Sequence, residues 1–215
     1  MNGLIVLTIA AGLLVDQYWP QYGQIVVNAC AWAICGGLYL RTDRRGRPAL
    51  IACLLFATAG EIFLSLAWGL YEYRLHNIPL FVPPGHVLLF FLGTQLAARM
   101  PRGGEAWIAA LALPVVVAFA WQGRDTFGPL LYGMFALCLW ISPSRSRLYA
   151  TMFVLSLAME LYGTWIGNWA WAPHVPYLGL TTLNPPLAAG AFYCVLDLLI
   201  VTATGRTIPT RTAEA

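Results

Sequence analysis

Glu61 is followed by Trp68-Gly69-Leu70-Tyr71-Glu72-Tyr73, then Pro79 and Pro83-Pro84; Glu160 is followed by Ile166-Gly167-Asn168-Trp169-Ala170-Trp171, then Pro176 and Pro185-Pro186. Both stretches fit one pattern. An acidic residue near the end of an apolar run leads into Gly-x-aromatic-x-aromatic, then a Pro-rich loop, then a helix opened by Pro-Pro. Proline suits a first helical turn because its missing N–H has no partner there anyway. The offset between the halves is 99 residues for the acids, 98 for the glycines and 102 for the Pro-Pro pairs. A pattern recurring this way predicts two parallel repeats, about 1–99 and 104–206, with a site at their interface.

The sequence around these segments is apolar. It is 60% hydrophobic and 10% charged, against about 25% charged in a soluble domain. Eight apolar runs approach the roughly 20 residues that cross a bilayer: Asn2–Trp19, Gln24–Leu40, Ala49–Trp68, Pro84–Ala98, Glu105–Trp121, Phe127–Ile141, Leu148–Ile166 and Pro186–Thr204. The reading is an all-α polytopic membrane protein of about eight transmembrane helices, with seven as the alternative count. It forms one transmembrane domain over 1–206, with a short cytoplasmic tail over 207–215. Met1–Val15 lacks the basic start of a signal peptide, and Asp16, Tyr18 and Trp19 stand where small residues should precede cleavage. It reads as a retained first helix.

All twelve basic residues are Arg, and ten of them (Arg41, Arg44, Arg45, Arg47, Arg99, Arg102, Arg145, Arg147, Arg206, Arg211) fall on one side of this arrangement, against Arg74 and Arg124 on the other. The positive-inside rule puts the Arg-rich side and both termini in the cytoplasm. A bacterial inner membrane is the expected location. The Arg residues form no basic patch interleaved with aromatics, so nucleic acid is not an expected partner. The five cysteines (Cys30, Cys35, Cys53, Cys138, Cys194) lie inside apolar runs without a CxxC pair and read as small core residues. No His/carboxylate spacing of a metal site, nucleotide loop, GxSxG or HExxH occurs. Neither metal nor cofactor is expected.

Charged groups inside a span cost about 2.5–3.5 kcal/mol on insertion scales and face a cavity or a partner. Glu61, Glu160 and Asp197 are such groups, and with His86 they are the candidate catalytic residues. A carboxyl kept neutral by its apolar surroundings can donate a proton, and His86, after Pro83-Pro84-Gly85, can relay one. Helical spacing groups Glu160 with Thr164 and Gly167, Glu61 with Ser65 and Trp68, and Tyr193 with Pro186, Gly190 and Asp197. Gly163 and Gly190 allow close helix approach. Tyr71, Trp169, Trp171 and Tyr193 are candidate walls of a substrate pocket, because aromatic faces stabilise cations. Tyr73 and Trp165 read instead as part of an interfacial belt. Asn184, before Pro185-Pro186, is a candidate contact whose simpler role is to cap the eighth span. His76 and His174 read as solvated.

The segments Gly69-Leu70-Tyr71-Glu72-Tyr73 with Pro79-Leu80-Phe81-Val82-Pro83, and Gly167-Asn168-Trp169-Ala170-Trp171 with Tyr177-Leu178-Gly179-Leu180 and Asn184, resemble the CruF-type carotenoid biosynthesis family. These are membrane hydratases of acyclic carotenoid ends. More distantly the plan is similar to small membrane terpene cyclases of the lycopene-cyclase and fungal meroterpenoid types. The resemblance implies proton-initiated alkene chemistry on a hydrophobic isoprenoid substrate. One carboxylic acid protonates a double bond, and water or an internal alkene captures the carbocation. Two other classes stay open on the residues alone: a transporter of small solutes or lipids with a buried carboxylate site, and a non-catalytic lipid-binding membrane subunit.

Overall fold

The computed structural model describes residues 1–205; residues 206–215, which hold Arg206, Arg211 and the expected tail 207–215, lie outside the described residues. Eight α-helices occur among them: α1 (Asn2–Tyr18), α2 (Gly23–Arg41), α3 (Arg47–Glu61), α4 (Val82–Ala97), α5 (Gly104–Trp121), α6 (Gly128–Ile141), α7 (Ser146–Ile166) and α8 (Gly190–Thr204). Two three-residue strands, β1 (Tyr71–Tyr73) and β2 (Trp169–Trp171), follow α3 and α7. The fold is all-α, as expected. Among the described residues three helices are long and apolar enough to cross a membrane: Gly23–Arg41, Gly104–Trp121, and α3 with its continuation to Ala67. Helix α5 is apolar all round and buries only Val116. It leaves Trp107, Leu111, Val117 and Trp121 exposed.

The changing offset between the halves has a structural counterpart. Eight positions separate Glu61 from Gly69, but seven separate Glu160 from Gly167. The extra residue is absorbed by a π-helical segment, Ile62–Ala67, that continues α3. Its wider turn places the Trp68 N–H on the Phe63 carbonyl at 2.8 Å. A π-segment holds one more residue per turn than the α-helix around it, and such bulges are frequent at functional sites. Gly69 (φ 72°) and Gly167 (φ 88°) then take the left-handed conformation that glycine adopts without steric cost. Each turns the chain out of its helix and into a strand.

The strands pair antiparallel, with Tyr71 opposite Trp171, Glu72 opposite Ala170 and Tyr73 opposite Trp169. This register is centred on Glu72 and Ala170, which are equivalent at the offset of 98. Exchanging the two halves therefore maps the ribbon onto itself. Helix packing follows the same exchange near the centre. Helix α3 packs on α4 and α8, and α7 packs on α8 and α4. The outer helices depart from it: α1 reaches α4 and α7, whereas α5 lies along α6 and α7.

Helices α7 and α8 approach closely because Gly190 has no side chain; a Cβ there would stand 2.1 Å from the Phe153 carbonyl oxygen. The expected role of Gly190 holds. Gly163 makes room for something else. A Cβ on it would lie 2.0 Å from the Trp169 ring, so the missing side chain accommodates an indole. Helix α8 starts at Gly190, not at Pro186, because 186–189 form an irregular turn before it.

Candidate functional site

Strand alternation gives each ribbon strand two aromatic side chains on the buried face and one residue outside, Glu72 or Ala170. A period of two puts residues i and i+2 on one face. The inward aromatics point their polar tips at the acids of their own halves. Tyr71 and Tyr73 hydroxyls both donate to Glu61 Oε2 at 2.8 Å. Trp169 and Trp171 indole N–H groups both donate to Glu160 Oε2, at 2.8 and 3.1 Å. In each carboxyl one oxygen thus accepts two hydrogen bonds, and the other is left for a third partner.

For Glu61 that partner is His86 on α4, whose Nε2 stands 3.5 Å from Oε1. The other ring nitrogen, Nδ1, is 3.0 Å from the Val82 carbonyl. A carbonyl only accepts, so Nδ1 carries a hydrogen and Nε2 is the nitrogen that faces Glu61. For Glu160 the partner is Tyr193 on α8, with its hydroxyl 3.2 Å from Oε1. The His86 and Tyr193 rings stack, with centroids 5.1 Å apart and planes 9° from parallel. They stand between the two carboxyls and couple the halves. Both acids are 6% exposed. Burial first, and then the charge of Glu61, hold the Tyr71 and Tyr73 phenols well above their ordinary range. Both remain protonated donors.

Two apolar chambers meet this polar centre. One, of about 70 Å³, is bounded by α1, α2, α4 and α7 with Ile9, Leu13 and Met159 in its wall. The other, also of about 70 Å³, lies between α3 and α8, with Phe56, Leu64 and Leu196. Glu61, Tyr71, His86, Glu160 and Tyr193 line both. The cross-strand pair Tyr73/Trp169 borders the first, and Tyr71/Trp171, with ring centroids 5.0 Å apart, the second. Beyond the ribbon a wider groove, of about 710 Å³, includes Glu72, Arg74, His76 and Asn184.

Of the candidate catalytic residues, Glu61, Glu160 and His86 come together, and Tyr71, Trp169, Trp171 and Tyr193 surround them. Asp197 does not join them. It is fully buried, lines neither chamber, and has Cys53, Cys138 and Cys194 as its electrostatic neighbours. Among the described residues neither of its oxygens has a hydrogen-bond partner. Tyr73 is a ligand of Glu61 and not part of a belt, because the strand turns it inward; Trp165 is 81% exposed, as a belt residue should be. Asn184 does not cap α8. It accepts the Trp171 backbone N–H at 2.8 Å and so fixes the end of β2. Ser65 and Thr164 face the outer groove, away from the chambers. His76 and His174 are exposed, with His76 beside Glu72 at 2.5 Å.

A second buried polar group was not singled out from sequence. Asn168 donates to Asp16 Oδ2 at 2.8 Å and to the Leu13 carbonyl at 3.1 Å. Arg74 donates to the Asp16 carbonyl and lies 3.5 Å from its carboxylate. This latch fastens the end of α1 to both strands, next to Leu13 in the wall of the first chamber. Asp16 is a charge inside an apolar run, the same signal that marked Glu61. Asp125 was also missed; its Oδ2 accepts the Leu187 N–H at 2.9 Å, tying the α5–α6 loop to the approach to α8.

Scans against protein-family models, curated proteins and solved structures returned no match. The functional reading therefore rests on the geometry of this chain.

Proposed function

We propose that this chain crosses the bilayer eight times as two four-helix repeats, with both termini cytoplasmic. We further propose that it is an enzyme that protonates an alkene of an isoprenoid or carotenoid-type lipid. Glu160 is the acid. The protonated alkene becomes a tertiary carbocation, and water or an internal alkene captures it to give hydration or cyclisation. The observation carrying this reading is the position of Glu160. Its Oε2 is occupied by two indole N–H groups, which leaves Oε1, beside the Tyr193 hydroxyl, to hold a proton at the wall of two apolar chambers.

Other features agree. An apolar chamber suits a hydrocarbon chain and desolvates the acid, which favours proton transfer to carbon over loss to water. The faces of Tyr71, Tyr73, Trp169 and Trp171 suit a passing cation. The exposed apolar surface of α5 suits lipid, because a helix that is apolar all round is otherwise found in a protein core. The outward ring of Leu, Val and Trp on α1, α2 and α6 is of the same kind.

The test is expression in a bacterial host that accumulates acyclic carotenoid and polyprenyl precursors, followed by mass analysis of extracted lipids. Hydration adds the mass of one water, and cyclisation changes retention without changing mass. Glu160→Gln keeps an oxygen acceptor for the indoles but removes the acid. It should elute and melt like the parent and lose about 10²–10⁴-fold in conversion, the usual contribution of a general acid. Full conversion by a well-folded variant would remove Glu160 from the mechanism.

A further inference from the structure

The two carboxyls occupy equivalent places in the two halves, yet their surroundings differ in kind. The donors to Glu160 Oε2 are indoles, which donate and cannot accept. They hold Oε2 without offering a proton a way out on that side; on Oε1 the neighbour is the Tyr193 hydroxyl at 3.2 Å. The donors to Glu61 are phenols, which both donate and accept, and its third partner is an imidazole. Among the described residues the hydrogen-bond partners of Glu160 are all neutral donors, whereas Glu61 faces the one side chain of the site that can become a cation. Two carboxylates sharing one apolar site repel, so the charge goes to the one with a cation beside it.

We infer that the halves divide the proton cycle: Glu160 holds the acidic proton on Oε1, and Glu61, paired with His86, is the carboxylate that takes a proton back. This rests on the alkene-protonating reading. In the first step the Glu160 Oε1–H bond breaks, and the alkene π pair forms a C–H bond. Glu160 becomes a carboxylate and the substrate a tertiary cation. In hydration the water oxygen bonds to the cationic carbon, and one water proton passes to Glu61 Oε1. In cyclisation or a double-bond shift, a C–H beside the final cation gives its proton to Glu61, and its electron pair closes the new alkene. Either way one proton leaves Glu160 and one arrives at Glu61, no oxidant or reductant enters, and proton exchange with water returns Glu160 to the acid and Glu61 to the carboxylate before the next turnover. His86 positions and charges the base. Its Nδ1–H is held by the Val82 carbonyl and its face by the Tyr193 ring, so Nε2 stays directed at Glu61.

The division is readable without a substrate. Infrared spectra of the purified protein in detergent at neutral pH are compared with those of Glu160→Gln, Glu61→Gln and His86→Asn. The parent-minus-E160Q difference should contain a protonated-carboxyl C=O band, and the parent-minus-E61Q difference a carboxylate pair. H86N, which removes the cation and leaves both carboxyls in place, should add a second protonated-carboxyl band, and it covers the case in which E61Q fails to fold. A protonated band that disappears with E61Q and persists in E160Q, or an H86N spectrum identical to the parent, overturns the assignment. With lycopene in detergent micelles made up in D2O, E61Q should still exchange deuterium into recovered lycopene while losing at least about 10²-fold in product, and E160Q should lose both. Loss of exchange in a folded E61Q counts against the division. A parent that neither exchanges nor converts refutes the alkene chemistry, and the infrared comparison still decides where the proton sits.

Discussion

Gly163→Ala perturbs the site without touching a polar atom. Its added methyl would stand 2.0 Å from Trp169 Cη2, with two further ring atoms at 2.3 and 2.5 Å. Ordinary contact needs about 3.4–4 Å, so the indole must move by more than 1 Å. The ring cannot do so and keep its 2.8 Å bond to Glu160. Overpacking of this kind costs about 1–3 kcal/mol. A lost hydrogen bond adds about 0.5–1.5 kcal/mol. The expected destabilisation is therefore about 1.5–4.5 kcal/mol, read as a lower melting temperature in detergent. Conversion should fall as well, because Glu160 Oε2 loses an acceptor bond that fixes its orientation. The control is Gly60→Ala, on the turn before Glu61, where a Cβ meets nothing within 4 Å. In a helix, where alanine is free of strain, the same change should stabilise by about 0.4–1 kcal/mol. A G163A protein that melts with the parent would refute the placing of the Trp169 ring on Gly163, and with it the geometry of the carboxyl.

Topology is tested in a Cys30→Ser background, because Cys30 is exposed and the other four cysteines are buried. Glu72→Cys and Arg44→Cys should react with an impermeant thiol reagent from opposite faces of the membrane, and reaction from one face would sink the eight-span arrangement. Tyr73 has a folded-state pKa raised by burial and then by Glu61. The stability it contributes is full below the ordinary phenol value of about 10 and is lost as pH rises through the folded value. Tyr73→Phe should cost about 1.5–3 kcal/mol at neutral pH, for a bond to a charged acceptor, and should flatten the alkaline limb of the melting curve. Asp125 is likewise raised, by burial, against the lowering effect of the Leu187 and Gly128 N–H groups. Its neutral form is the one the fold favours, so stability from this group is lost as pH rises. Asp125→Asn should therefore gain on the parent between about pH 4 and neutral; a gap in melting temperature that stays constant over that range would refute the assignment.

The sequence made the helices legible because long apolar runs broken by Arg, Gly and Pro leave few other readings. It also marked Glu61, Glu160 and the aromatics after them, since a buried charge is costly and a doubled pattern is hard to miss. What it hid was direction. A three-residue strand is too short for its period of two to be recognised, so nothing in Tyr71-Glu72-Tyr73 said that both tyrosines turn back onto Glu61. Tyr73 looked like a belt residue for that reason. The strand's partner lies about a hundred residues away, and only pairing the halves reveals the ribbon. Asn184 failed as a cap because the helix it was to open begins six residues later, at Gly190. Asp197 was grouped with Tyr193 by helical spacing. Spacing places two residues on neighbouring parts of one face, but Tyr193 is long enough to reach outward to Glu160, and Asp197 remains at its own level among Cys53, Cys138 and Cys194.

The differences between the halves form a connected set. Indoles are larger than phenols, and the half that carries Trp169 and Trp171 has Gly163 beneath the ring. The position matching Gly163 at the offset of the acids is Leu64, and this half carries Tyr71 and Tyr73. The same half has the π-segment, which adds one residue between the acid and its glycine. Tyrosine reaches Glu61 across sequence separations of 10 and 12 residues, and tryptophan reaches Glu160 across 9 and 11. The wider turn thus returns both acids to the same relation with their ribbon strands despite unequal spacing. A repeat that only needed to bury two carboxyls would have no use for this compensation, since identical halves satisfy them equally well. It keeps the geometry constant while the chemistry of the donors changes, from side chains that can pass a proton to side chains that cannot. One acid that holds its proton and one that receives it are what a pathway beginning and ending in proton transfer needs.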